Sequence, residues 1–150
     1  TRRLGSGPLP RALQSGSLIP NTQPFGSAPW NYPGTETVVS VPPGVVDWVL
    51  VELRDAATPE QASQVTNLPG WPRALFLKAD GSLVTLDGTN LPDIGSPTVT
   101  SSLFIAVRHR NHLAVISSTG ASLSGGVYSY DFTTGVSQAF GGATGCKMVG

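Results

Sequence analysis

The sequence VDWVLVELR, residues 46–54, is the longest apolar run in the chain and contains neither glycine nor proline. Pro-Pro-Gly at residues 42–44 precedes it, and the turn-forming segment 55–59 follows it. A run of about this length, rich in β-branched residues and bounded by such breakers, predicts a strand rather than a helix. We therefore expect a β fold built around residues 46–54.

The two faces of this predicted strand differ in polarity. Val49, Val51 and Leu53 form one wholly apolar face, because alternate residues of a strand point the same way. The opposite face runs from Trp48 to Glu52 and is apolar at one end and charged at the other. This pattern predicts a central strand that is fully buried on one side and half-covered on the other.

Further short apolar segments, separated by Gly, Pro, Asn and Asp, predict additional strands. They comprise residues 36–41, 73–79, 82–86, 102–109, 113–117, 127–132, 136–140 and 146–149. About eight or nine short strands at regular spacing predict an all-β fold, an Ig-like or jelly-roll-like β-sandwich that occupies residues 36–150.

Turn signals predict how these strands connect. Asp80-Gly81 and Arg110-Asn111 each favour a tight two-residue hairpin turn. Gly135 suits the positive-φ site of a three-residue loop, which predicts a hairpin between residues 127–132 and 136–140. Thr58, followed by proline and then Gln61, predicts the start of one short helix.

Charge composition excludes several classes of partner. Nine Lys and Arg residues balance nine Asp and Glu residues, and only 12% of the chain is charged. Nucleic-acid binding requires a basic surface, and electrostatic docking to an anionic membrane requires clustered cations. No apolar run approaches the roughly 18 residues that predict a membrane span. A neutral surface of this kind favours self-association, so we expect other copies of the chain as partners.

The first 35 residues differ in composition from the rest. They hold six of the thirteen prolines, which keep a segment extended and out of a central strand. An extended apolar arm packs either across its own domain or across a neighbouring copy, and both alternatives remain open. The apolar residues predicted to form a subunit interface are Leu4, Leu9, Leu13, Leu18, Ile19 and Phe25.

Three segments resemble, in order and spacing, a β-sandwich module of large secreted and cell-surface proteins of Bacteroidetes-type bacteria. These segments are residues 46–55, 107–115 and 130–133, and similar likenesses occur at 18–25 and 75–84. The resemblance extends from about Leu18 to Val149, and its most specific part is His-Arg-Asn-His at 109–112. Proteins with this module are often multi-domain and exported by the type IX route.

The resemblance implies an extracellular location and a non-enzymatic, structural or adhesive role, with no established ligand. Two features depart from the pattern. Ala114 stands where related modules usually carry glycine, and those modules usually continue past residues 130–133 into acidic, Gly-rich sequence. We therefore expect that another copy of the chain completes the architecture.

His109 and His112 flank the predicted Arg-Asn turn and could face each other across a hairpin. Two such imidazoles could contribute to a metal site if Glu52 or Asp47 supplied a further ligand. Alternatively, the histidines and neighbouring arginines cap the hairpin by bonding carbonyl groups or carboxylates. The sequence favours this second interpretation, so we predict neither a metal nor a cofactor.

Motifs for catalysis are missing from the sequence. Gly-x-Ser-x-Gly and phosphate-binding loops do not occur, so we predict a protein without catalytic residues. The single cysteine, Cys146, is either a small apolar residue in a strand or a thiol that bridges two chains.

Trp30, Tyr32 and Trp71 lie in predicted loops beside proline and glycine. Exposed rings at such positions could stack on sugar faces or anchor a protein partner. Alternatively, they cover the open ends of the sandwich. Two functional hypotheses follow: an extracellular structural subunit that self-associates into an oligomer or a filament, and a carbohydrate-binding or adhesion module.

Overall fold

The computed structural model describes residues 18–95 and 98–142, and within them the fold is all-β, as predicted. The strands are β1 (Val45–Ala56), β2 (Arg73–Lys78), β3 (Leu83–Val84), β4 (Ser102–His109), β5 (His112–Ile116), β6 (Ser122–Ser124) and β7 (Val127–Ser129). Two short 3-10 helices lie outside the sheets: Gln64–Thr66 between β1 and β2, and Val136–Gln138 after β7.

Strand β1 is the centre of a five-stranded sheet with the order β3-β2-β1-β4-β5, which confirms its predicted position. All pairings are antiparallel. Strands β6 and β7 form a separate two-stranded hairpin. Within the described residues, loops and this hairpin pack on the large sheet, and a second sheet of similar size is not present.

One face of the large sheet is covered by the segment that follows Leu18. Trp48 and Phe76 pack together with ring centroids 4.1 Å apart, and Phe25 and Tyr32 join the same core cluster. Every residue from 47 to 54 is buried, so β1 is covered on both faces. The expectation of a half-covered face is wrong: residues 19–38 cover the end at Trp48, and arginine side chains bury the end at Glu52.

The other face carries the second core cluster. Val49, Val51 and Leu53 of β1 pack with Leu75 of β2 and Leu103 of β4. Partly buried side chains from the loop after β3 and from β7 pack against them; they include Ile94, Val99 and Tyr128. Both faces of β1 are therefore apolar over most of its length.

Specific hydrogen bonds hold the N-terminal segment on its own sheet. The indole Nε1 of Trp48 donates to the carbonyl oxygen of Pro20 at 2.7 Å, and Thr22 forms an isolated β-bridge with Thr37. Of the two alternatives for the arm, residues from 18 onward pack across their own domain. Leu4, Leu9 and Leu13, as well as Cys146 and the predicted strand 146–149, lie outside the described residues.

Four sequence predictions about local structure are wrong. The loop from β2 to β3 contains Asp80-Gly81 but is longer than the predicted two-residue turn, since the backbone N–H of Lys78 donates to the carbonyl oxygen of Ser82. Residues 36–41 form only a single bridge, and residues 58–62 form consecutive turns instead of a helix. Strand β7 pairs with β6, which precedes it in the sequence, and not with residues 136–140, which follow it. The cause lies in Gly125 and Gly126, whose φ values of 56° and 79° suit the tight primed turn. Gly135 has a φ of 160°, which is extended backbone.

Candidate ligand-binding cleft and two charge clusters

The charged end of the central strand is buried among arginines. Glu52 is 1% exposed, and its carboxylate accepts hydrogen bonds from Nε and Nη2 of Arg54 and from Nε of Arg108. Arg54 lies two residues further along the same face of β1, and Arg108 is the β4 partner of Leu50. Register thus brings these three side chains together, and we call them the Glu52 cluster.

The hydrogen bonds of the Glu52 cluster fix its charge state. Burial alone would raise the pKa of Glu52, but the hydrogen bonds and charges of Arg108 and Arg54 outweigh burial and hold the pKa below its usual range. The carboxylate is therefore ionised at neutral pH. Arg54 is also anchored on its far side, since its Nη1 donates to the carbonyl oxygen of Ala62 at 2.9 Å.

A second charge cluster, which we call the Asp47 cluster, lies at the hairpin between β4 and β5. Asp47 Oδ2 is 3.0 Å from Nε2 of His109 and 3.1 Å from Nε of Arg110. Nδ1 of His109 accepts a hydrogen bond from the backbone N–H of Asn111. A ring nitrogen that accepts carries no proton, so this pattern assigns the neutral tautomer with the proton on Nε2.

The two histidine rings face each other with their centroids 4.8 Å apart, across the predicted hairpin. Both nitrogens of His109 already have partners, which leaves that ring no lone pair for a metal ion. In the part of the chain that the structure describes, no group of three or more His, Cys, Asp or Glu residues is placed to hold a metal. The arrangement fits the capping of the hairpin, with Asp47 as the carboxylate.

The three aromatic residues singled out in the sequence line one cleft of about 340 Å³. Trp30 and Tyr32 come from the N-terminal segment, and Trp71 comes from the loop before β2. Glu52, Gln64, Asn67 and Arg108 also line this cleft. We call this the aromatic cleft.

The rings are walls of the cleft rather than an exposed platform. Tyr32 is 9% exposed and Trp71 is 7% exposed, while Trp30 is half-buried and packs edge-on against Phe25. The hydroxyl of Tyr32 donates to Glu36. Burial and this neighbouring carboxylate raise the pKa of Tyr32 to about 12, so the phenol stays protonated.

Two polar atoms of residues that line the aromatic cleft are buried without a hydrogen-bond partner among the described residues. They are Nε1 of Trp71, a donor, and Oδ1 of Asn67, an acceptor. Leaving such a group unpaired costs about 1–3 kcal/mol, so most buried polar atoms in folded proteins have a partner. Both atoms are shielded from solvent, so the polar groups within reach of a ligand are those of exposed lining residues such as Gln64.

The other predicted interface residues lie in different environments. Phe25 is completely buried in the core and has no surface to offer a second subunit. Leu18 is 72% exposed, and Ile19 is partly buried against the core. Sequence reasoning did not identify Gln64, Asn67 or Arg108 as cleft residues, because only the fold brings their separate segments together.

A second cleft, of about 430 Å³, lies beside the hairpin β6–β7 and differs in chemistry. Its lining consists mainly of short polar side chains with Tyr130. The hydroxyl of Tyr130 already donates to the carbonyl oxygen of Gln138 at 2.6 Å. The aromatic cleft is therefore the stronger candidate for ligand binding.

No protein-family model, no curated protein and no solved structure matches this chain. The likeness to secreted modules of Bacteroidetes-type bacteria accordingly stays a prediction from sequence. Over residues 18–95 and 98–142, no helix is long and apolar enough to cross a membrane.

Proposed function

We propose that the protein is a non-enzymatic extracellular module that binds carbohydrate in the aromatic cleft. The observation that carries this proposal is the convergence of Trp30, Tyr32 and Trp71, from two separate loops, on one cleft with polar side chains. The extracellular location rests on the sequence resemblance.

The composition of the cleft supports a sugar as the ligand. Sugars present apolar C–H faces and hydroxyl edges, which match aromatic walls and amide groups respectively. A volume of about 340 Å³ lies at the lower end of the range of about 300–1,000 Å³ for small-ligand sites. The amide side chain of Gln64, which is exposed and lines the cleft, supplies a donor and an acceptor for hydroxyl groups.

The bonding of the titratable groups supports binding without catalysis. Glu52 in the cleft is ionised and bonded to two arginines, so it is a poor general base or acid. His109 is bonded at both ring nitrogens and has no unused position for proton transfer. Neither group resembles a poised acid–base residue.

Replacing Trp30 with Ala should weaken carbohydrate binding roughly tenfold, which corresponds to about 1.4 kcal/mol, because a half-buried wall of the cleft is removed. A glycan array first identifies a ligand, and isothermal titration calorimetry then measures the affinity. Gln64→Ala provides a second test, since Gln64 is exposed and lines the cleft.

Val65→Ala is the matched control for Gln64→Ala, because Val65 is adjacent and 93% exposed but does not line the cleft. We expect unchanged binding for this variant. If neither Trp30→Ala nor Gln64→Ala lowers the affinity, the carbohydrate does not bind in the aromatic cleft. An array without any bound glycan would reject the proposed function.

Self-association into a filament is the second candidate function, and a specific feature favours it. On the outer side of β5, no strand of the described residues is paired, and Leu113 is 76% exposed. The bridge from Ser117 to Ala139 occupies only the end of this edge. An unpaired edge strand with an exposed apolar side chain is a template for a strand from another copy.

The segment that we assign to this edge is residues 1–17 of the next copy, which carry Leu4, Leu9 and Leu13. Such a head-to-tail contact does not close on itself, so it builds an open filament. Residues from 18 onward are unsuitable for exchange, because Ile19 and Pro20 contact the core of their own domain.

Replacing Leu113 with Lys should abolish association, because a charge on the outer strand blocks edge-to-edge pairing. Sedimentation velocity over a range of concentrations, together with electron microscopy, measures this. Deleting residues 1–17 should have the same effect.

Leu91→Lys, in a loop away from β5 and 60% exposed, is the control and should leave association unchanged. Filaments that persist in both the Leu113→Lys and the truncated protein would exclude the β5 edge. A wild-type protein that is monomeric at all concentrations would exclude this candidate function altogether.

A further inference from the structure

We infer that the aromatic cleft selects saccharides that carry a carboxylate, such as uronic acids. This inference rests on the proposed carbohydrate function and specifies its substrate class. Its central residue is Arg108, whose side chain lines the cleft and is 27% exposed.

The charges of the Glu52 cluster do not balance. Two guanidinium groups, of Arg54 and Arg108, share the single negative charge of Glu52. Arg54 points away from the opening, since its Nη1 bonds the Ala62 carbonyl oxygen and the residue does not line the cleft. The surplus positive charge is therefore carried on the cleft side, by Arg108.

Arg108 keeps unused hydrogen-bond donors. Within the described residues, its contact with Glu52 uses only Nε, so the two terminal Nη groups donate to no protein acceptor. Glu52 can accept few further hydrogen bonds, since its Oε2 already accepts from Arg54 and lies 3.5 Å from the amide nitrogen of Asn67. With respect to the described residues, Arg108 therefore has donors available to solvent or to a ligand.

The anchored guanidinium is prepared for a planar anion. The bond from Nε to Glu52 fixes the orientation of the group, which reduces the entropy lost when a ligand binds. A carboxylate can then accept two parallel N–H bonds, an arrangement that matches the fork of arginine better than the single charge of a lysine. The aromatic residues that line the same cleft lower the local polarity, which strengthens the interaction.

The rest of the cleft favours a sugar ring over a simple anion. Trp30 and Tyr32 offer apolar surface, and the exposed amide group of Gln64 offers a donor and an acceptor for hydroxyl groups. A ligand with a carboxylate at one end and hydroxyl groups on an apolar ring fits both parts. Uronic acids have this combination.

Calorimetric titrations with matched sugars test the inference. Oligosaccharides of galacturonic acid should bind at least tenfold more tightly than the corresponding galactose oligosaccharides and than methyl-esterified galacturonides, which keep the ring but lose the charge. Raising the salt concentration should reduce this preference, because it depends on a partly exposed charge.

Arg108→Gln should reduce the affinity for the acidic sugars to that for the neutral ones, and Arg108→Lys should restore only part of the difference. Arg110→Gln is the matched control: Arg110 also pairs with a carboxylate, in the Asp47 cluster, but does not line the cleft, so the preference should persist. Urea unfolding of each variant establishes that it is folded at the titration temperature, and Arg108→Lys retains the cation if Arg108→Gln does not fold.

The outcomes separate the inference from the proposed function. Equal affinity for acidic and neutral sugars would overturn the inference and leave carbohydrate binding intact. Acetate that competes as well as galacturonic acid would overturn it too, since the site would then recognise a bare anion. Absence of binding to every saccharide would overturn the proposed function and the inference with it.

Discussion

Replacing Glu52 with Gln should lower the free energy of unfolding by about 3–5 kcal/mol, the usual cost of removing one partner from a buried ion pair. Arg54 is 9% exposed, and its guanidinium would lose the anion that compensates its burial. Urea denaturation at pH 7, followed by tryptophan fluorescence, measures the loss. This is one of the two largest effects that we expect from a single substitution.

Glu60→Gln is the control, because Glu60 is an exposed carboxylate outside the Glu52 cluster. Its unfolding midpoint should equal that of the unsubstituted protein. Adding Arg54→Met to Glu52→Gln should recover part of the lost stability, since it removes the uncompensated charge. A loss of less than about 1 kcal/mol for Glu52→Gln would show that solvent reaches the guanidinium groups.

The same cluster predicts how the effect depends on pH. The pKa of Glu52 is lower in the folded chain than its ordinary value of 4.5, so the folded state binds fewer protons there than the unfolded state. The contribution of Glu52 to stability is present above about pH 4.5 and is lost as the pH falls through the folded-state pKa. The difference between Glu52→Gln and the unsubstituted protein should therefore narrow in acid.

The sequence predicted the centre of the large sheet well because its signals are local. Strand β1 is a long, mostly apolar segment without glycine or proline, and the turn between β2 and β3 contains Asp80-Gly81, where Gly81 has a φ of 86°. Strands β4 and β5 flank Arg110-Asn111, and His109 pairs with His112 as expected. Each of these features depends on residues that are close in the sequence.

The charge clusters could not be predicted in the same way, because they depend on register between distant segments. Glu52 contacts Arg108 only because β1 pairs with β4 in a register that sets Leu50 opposite Arg108. If the pairing of β4 with β1 shifted by one residue, the side chain of Arg108 would no longer lie on the same face of the sheet as Glu52. The alternation of side chains along β1 therefore predicted which face of the strand Glu52 occupies, but it did not predict that Glu52 is buried.

Competition between turns explains the wrong hairpin near the C-terminal end of the described chain. Gly125 and Gly126 both have positive φ, which glycine adopts without steric cost, and they join β6 to β7 with a two-residue turn. The more distant Gly135 would have closed a longer loop between weaker strands. A Gly-Gly pair is a signal of a two-residue hairpin turn, so residues 125–126 predict the observed hairpin.

Replacing Phe25 with Ala should also destabilise the protein by about 3–5 kcal/mol, as is usual for a buried Phe truncated to Ala. Phe25 is completely buried, packs edge-on against Trp30, and belongs to the cluster with Trp48 and Phe76. Urea denaturation at several protein concentrations measures the change. The matched control is Leu18→Ala, because Leu18 is 72% exposed in the same segment, and its unfolding midpoint should not change.

The concentration dependence decides between two roles for the N-terminal segment. A side chain that packs in its own domain contributes to unfolding whether or not a second copy is present. The loss caused by Phe25→Ala should therefore be the same at every concentration. A side chain that packs in a neighbouring copy stabilises only the associated protein, so its removal would matter only at high concentration. If the unfolding midpoint of Phe25→Ala at low concentration equals that of the unsubstituted protein, residues 18–35 exchange between copies. The aromatic cleft would then be shared by two chains, because its wall includes Trp30 and Tyr32.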